Sequence, residues 1–173
     1  MRRGTDHGFT LIELLVAVTI IGIIVAIAVP GLVRARVSAD EAWAIGSLRA
    51  VASAQGTFSA SCAGGRYAAT LDTLGTGPSG GAGYLSPDLA QAPSVTKNGY
   101  SVSMTGTSAT GAAACNGSTN LASGYHAWAD PVSSSTGTRY FFTNTTGTIW
   151  QASSSIGSGG SDSASPSGGT PIQ

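Results

Sequence analysis

Hydrophobic and polar positions follow three patterns along the chain. From Phe9 to Val29 the residues are apolar almost without a break, and Glu13 is the single charge. A helix that is apolar all round faces lipid or other apolar helices on every side. At 1.5 Å per residue the run is about 32 Å long, enough to cross the hydrocarbon core of a bilayer. Beyond Pro30 the pattern turns amphipathic. Val37, Ala44, Leu48, Val51 and Phe58 fall on one face of a 3.6-residue period, and Arg34, Arg36, Asp40, Glu41 and Arg49 supply a wet face. No proline stands between Gly31 and Pro78, so the spacing predicts one helix from Phe9 to about Ala60, with Trp43 and Ile45 as packing residues.

The third pattern is alternation of period two. Tyr100–Met104, Tyr125–Ala129, Arg139–Thr143 and Thr148–Gln151 read as strands, the second stopped by Asp130-Pro131 and the last two joined through Asn144–Gly147. Residues 63–99 are rich in Gly, Pro and Ser and read as a connector. Within it, Tyr67–Leu74 suggests a short helix or turn. Tyr84–Leu89 suggests another short helix, with Ser86 capping and Pro87 at its first position. Residues 153–173 are nearly all Ser, Gly, Ala, Pro and Thr, which predicts a mobile tail. The expected fold is α+β: a long N-terminal helix, apolar then amphipathic, packed on a small antiparallel sheet. Its segments are 1–8, 9–30, 31–62, 63–99, 100–152 and 153–173.

Glu13 is the residue that this layout does not explain. A carboxylate at mid-span costs roughly 2.5–3.5 kcal/mol or more, so it needs a partner. The apolar run holds no Lys, Arg or His. Cutting the chain after Gly8 creates a cation: the new amine of Phe9 lies one helical turn from Glu13, on the same chain or a neighbour. Gly22 and Pro30 weaken the helix by about 1 and about 3 kcal/mol, marking a kink or a meltable stretch. Arg2 and Arg3 form a short basic flank, which predicts a cytoplasmic N-terminus.

Charge is sparse, with eight basic and eight acidic residues in all. Removing residues 1–8 takes Arg2, Arg3 and Asp6, leaving six basic and seven acidic residues, a net of −1. That is no nucleic-acid footprint. Cys62 and Cys115 are the only cysteines. If the C-terminal part lies outside the cytoplasm they are expected to pair, closing a loop of about fifty residues for about 4 kcal/mol. His7 reads as filler and His126 as a strand-surface residue, not a metal ligand. Neither a catalytic constellation nor a metal or cofactor motif stands out. Asn116-Gly-Ser118 and Asn144-Thr-Thr146 match the N-glycosylation pattern, which recurs by chance.

Gly8-Phe9-Thr10-Leu11-Ile12-Glu13-Leu14 resembles the class III signal sequence of type IV pilins and pseudopilins. The resemblance is strong from Met1 to about Phe58 and rests on layout beyond. It implies that prepilin peptidase cuts after Gly8 and N-methylates Phe9, and that Glu13, then the fifth mature residue, is needed for assembly. It also implies a homo-oligomeric filament, raised from an inner-membrane precursor by a platform protein and a cytoplasmic ATPase. Membrane lipid surrounds the helix before assembly, and the head is periplasmic, then extracellular. A major pilin is the expected role, with no enzymatic activity and no cofactor. A type II secretion pseudopilin and a minor or DNA-uptake pilin remain the alternatives. An ordinary signal peptide cut after Ala28 or a plain anchor leaves Glu13 and the Gly8–Phe9 junction without a role.

Overall fold

The computed structural model describes residues 8–172; the expected leader residues Met1 to His7 lie outside them. Helix α1 spans Leu11–Ser61 and runs unbroken through Gly22 and Pro30. The chain divides into two compact units between Arg36 and Val37. In the first, every described residue from Gly8 to Arg36 is exposed.

In the second unit α1 turns amphipathic as its spacing predicts. Ala44, Leu48, Val51 and Phe58 are fully buried, and Trp43 and Ile45 pack partly buried against the same core. Burying each of the larger side chains contributes about 1.5–3 kcal/mol. Gln55 interrupts this apolar face. Its amide donates to the Ala68 carbonyl at 2.8 Å and its carbonyl oxygen accepts from the Ala68 N–H at 2.9 Å. The side chain thereby satisfies a stretch of backbone as a neighbouring strand would.

The helix packs on a sheet of seven strands: β1 Tyr67–Ala68, β2 Ser94–Lys97, β3 Tyr100–Ser108, β4 Leu121–Pro131, β5 Tyr140–Asn144, β6 Ile149–Ala152 and β7 Thr170–Ile172. The order is β2-β3-β4-β5-β6-β7, with β1 on the first residues of β4, and every pairing is antiparallel. This is the α+β arrangement that the resemblance implies. One sheet face, with Val102, Met104, Ala127, Ala129 and Phe141, joins the helix in the core. The opposite face carries a cross-strand row, Trp128 opposite Phe142 opposite Trp150 opposite Pro171.

Four expectations are corrected. The connector ends in a strand: β2 and β3 form a hairpin through Asn98-Gly99, both with positive φ (47° and 72°). Such a two-residue turn matches the right-handed twist of its strands. Residues 84–89 form turns rather than a helix, with the Leu89 and Ala90 amides both donating to the Ser86 carbonyl. Strand β4 continues through Asp130 to Pro131, where the missing N–H falls at the strand's last position and costs no interior ladder bond.

The fourth correction is the tail, which is an ordered strap. Asn144 donates to the Ser161 and Ala164 carbonyls at 3.0 and 2.9 Å, and β7 pairs with β6. Gly160 lies against Phe142, where a Cβ would stand 2.2 Å from the ring. Small residues bring the strap backbone close to the aromatic row, and polar groups of the sheet then satisfy it.

Candidate functional site

Residues 8–13 bring the sequence-predicted cleavage and assembly residues together. The peptide link from Gly8 to Phe9 precedes α1, and the first helical bond at this end runs from the Leu14 N–H to the Thr10 carbonyl at 3.3 Å. The junction is therefore outside helical hydrogen bonding, the condition under which a partner can pair with a peptide backbone. Among the described residues Gly8 has no atom near its Cβ position, and Phe9 is 83 % exposed.

Glu13 is held by Thr10. The Thr10 N–H and hydroxyl both donate to Glu13 Oε2, at 2.9 and 2.7 Å, while the Glu13 N–H donates back to Thr10 Oγ1 at 3.3 Å. This is a reciprocal cap: the threonine satisfies an orphan amide of the first turn and the glutamate satisfies the threonine's own. The negative charge also sits at the positive end of the helix dipole. Among the described residues Glu13 makes no ion pair. It opens onto a shallow apolar groove shared with Phe9, Ile12, Val16, Ala17 and Ile20. The Thr10-x-x-Glu13 spacing is the local signal of this cap.

Gly22 and Pro30 lie farther along the same exposed helix, apart from the junction. Cys62 and Cys115 lie in the other unit and form a disulfide with Cα atoms 4.8 Å apart, reinforced by the Cys115 N–H donating to the Cys62 carbonyl.

Two polar clusters in the head escape the sequence reading. Glu41, expected on the wet face, is buried. Its carboxylate accepts from Arg139 Nε at 2.8 Å, from Arg139 Nη2 at 2.6 Å and from the Thr138 N–H at 3.2 Å. Burial pushes this carboxyl up, and the Arg139 and Thr138 hydrogen bonds outweigh it, leaving the group below its ordinary value. His126, expected at a strand surface, is also buried. Its Nδ1 lies 2.6 Å from Asp162 Oδ1, and its ring stacks near Trp128 and Phe142. Asp162 Oδ2 accepts from the Thr107 N–H and hydroxyl at 3.0 and 2.8 Å, and the Asp162 carbonyl accepts from Thr145. Asp162 is thus the point at which the strap is tied to β3, β4 and the β5–β6 turn. No local pattern signals either pair, because the partners are 98 and 36 residues apart.

Other polar contacts of the head serve the fold. Lys97 pairs with Asp88 at 2.8 Å, and Arg66 Nε donates to the Ala63 carbonyl. The sequon asparagines Asn116 and Asn144 both spend their side-chain amides on backbone carbonyls, and Asn144 is fully buried.

A family model described as the prokaryotic N-terminal methylation motif matches residues 3–29. Neither curated proteins nor solved structures provide a match to the chain. The matched segment contains the junction, the Thr10–Glu13 cap and most of the exposed apolar helix.

Proposed function

We propose that the chain is a structural subunit, a major pilin, of a type IV pilus-like filament, reading its match to the prokaryotic N-terminal methylation motif over residues 3–29 as the class III signal of a pilin-like or pseudopilin precursor. The observation that carries this reading is one segment: a Gly8–Phe9 junction that precedes the helix, a capped Glu13, and a helix whose apolar side chains are exposed as far as Val33. The apolar helix fits an inner-membrane-anchored precursor by length and composition. Prepilin peptidase removes residues 1–8 and methylates Phe9. A platform protein and a cytoplasmic ATPase drive assembly, and the apolar helices pass from lipid into a filament core. There the Phe9 amine neutralises Glu13, whose two bonds to Thr10 leave its net charge in place. Gly22 and Pro30 make the intervening stretch the one most easily extended on assembly. The family that shares this motif is structural rather than enzymatic.

Peptide mass spectrometry on material sheared from the cell surface tests the proposal. An abundant peptide beginning at N-methylated Phe9 supports a surface pilin. The same peptide confined to envelope fractions favours a pseudopilin, and a chain beginning near Val29 overturns the filament reading. Glu13→Ala is expected to insert and be cleaved, with filament yield falling to background on immunoblots of the sheared fraction.

A further inference from the structure

We infer that Arg34 and Arg36 form a collar that binds the headgroups of anionic phospholipids where α1 leaves the membrane. The inference rests on the membrane-precursor reading and adds the lipid class and the residues that select it.

The side chains from Leu11 to Val33 are exposed, and Arg34 and Arg36 follow them, equally exposed. At 1.5 Å per residue Arg34 stands about 35 Å along the axis from Leu11, just beyond a hydrocarbon core of about 30 Å. Their aliphatic stems cover the last apolar turn while the guanidinium groups reach the phosphate level.

Neither arginine has a competing acidic partner among the described residues. The close contacts between acidic and basic side chains among the described residues are Lys97–Asp88, His126–Asp162 and Arg139–Glu41, and neither collar arginine belongs to one. Glu41, the one buried acid of α1, is taken by Arg139.

Residues two apart on a helix project about 200° from each other and differ by only about 3 Å in height. A single protein groove takes a helix from one side, through residues three, four or seven apart. Two arginines on opposite sides at one level fit a ligand that surrounds the helix, as a leaflet of headgroups does. Guanidinium also matches phosphate with paired hydrogen bonds. For two basic residues at an anionic surface the expected preference over zwitterionic lipid is roughly thirtyfold.

The test uses the full-length chain in nanodiscs of equimolar phosphatidylglycerol and phosphatidylcholine, released into detergent, with retained lipids read by native mass spectrometry. Insertion is read separately as resistance to carbonate extraction from pure phosphatidylcholine vesicles. Phosphatidylglycerol enrichment in the wild type, falling to near parity in Arg34→Gln/Arg36→Gln while insertion persists, is the expected result. Parity in an inserted wild-type chain overturns the collar alone and favours an acidic protein partner. Enrichment that survives the double substitution also overturns it, placing the selectivity elsewhere. Failure to insert overturns the precursor reading and the collar together.

Discussion

Glu41 carries the clearest lesson at the scale of single residues. A charged residue beside Asp40 on a helix reads as solvated, yet here its side chain is 7 % exposed and held by a guanidinium 98 residues along the chain. Removing one partner of a buried pair costs more than the pair contributes, because the other charge is left without a counter-ion. Arg139→Met is therefore expected to destabilise the head by about 2 kcal/mol, below the range for wholly buried pairs because Arg139 is 45 % exposed. The pH dependence has a definite sign. The folded-state carboxyl of Glu41 titrates below its ordinary 4.5, so its contribution is present above that value and is lost as pH falls through the lower folded value. Urea melts of both proteins in detergent, followed by near-UV circular dichroism, should show a gap that holds near neutrality and closes in acid.

Among the elements, the strap and helix α1 depend on different forces. The strap has little apolar content of its own, and its order comes from bonds that converge on Asp162 and Asn144. Asp162→Ala removes three side-chain hydrogen bonds to a carboxylate and leaves His126 Nδ1 buried without its partner. The expected loss is about 2–3 kcal/mol. Hydrogen exchange should show faster exchange across residues 160–172 and a red shift of tryptophan emission as Trp150 is uncovered. In α1, Pro30 lacks the N–H of a normal helical turn. Pro30→Ala should slow amide exchange across residues 26–34 in micelles; unchanged exchange would remove the meltable-stretch reading of Gly22 and Pro30.

For the molecule as a whole, the Cys62–Cys115 bond joins the end of α1 to the β3–β4 connection across a separation of 53 residues. Loop entropy of that size is worth about 4 kcal/mol. In a head with few large apolar residues this is a large share of a typical net stability of about 5–15 kcal/mol. Cys62→Ser/Cys115→Ser, or reduction of the native chain, is expected to lower the urea midpoint accordingly while leaving the apolar half of α1 helical. Differential loss of sheet and helix signals in far-UV circular dichroism would report it.

The features legible in the chain alone are local and periodic. The long helix, its change from apolar to amphipathic near Pro30, four of the strands and the Gly8–Glu13 junction each rest on neighbours within a few turns or one pleat, so their signals lie in short windows. The Asn98-Gly99 hairpin and the Thr10–Glu13 cap are equally local, with signals of two and four residues. Long-range contacts set the fates of Glu41, His126 and residues 153–172. Arg139, Asp162 and Asn144 reach these groups from distant strands, and burial depends on which groups the fold brings together. A Ser- and Gly-rich segment has too little apolar surface to order itself, and this one is ordered because a preformed sheet face presents donors, acceptors and an aromatic row at the spacing its backbone needs.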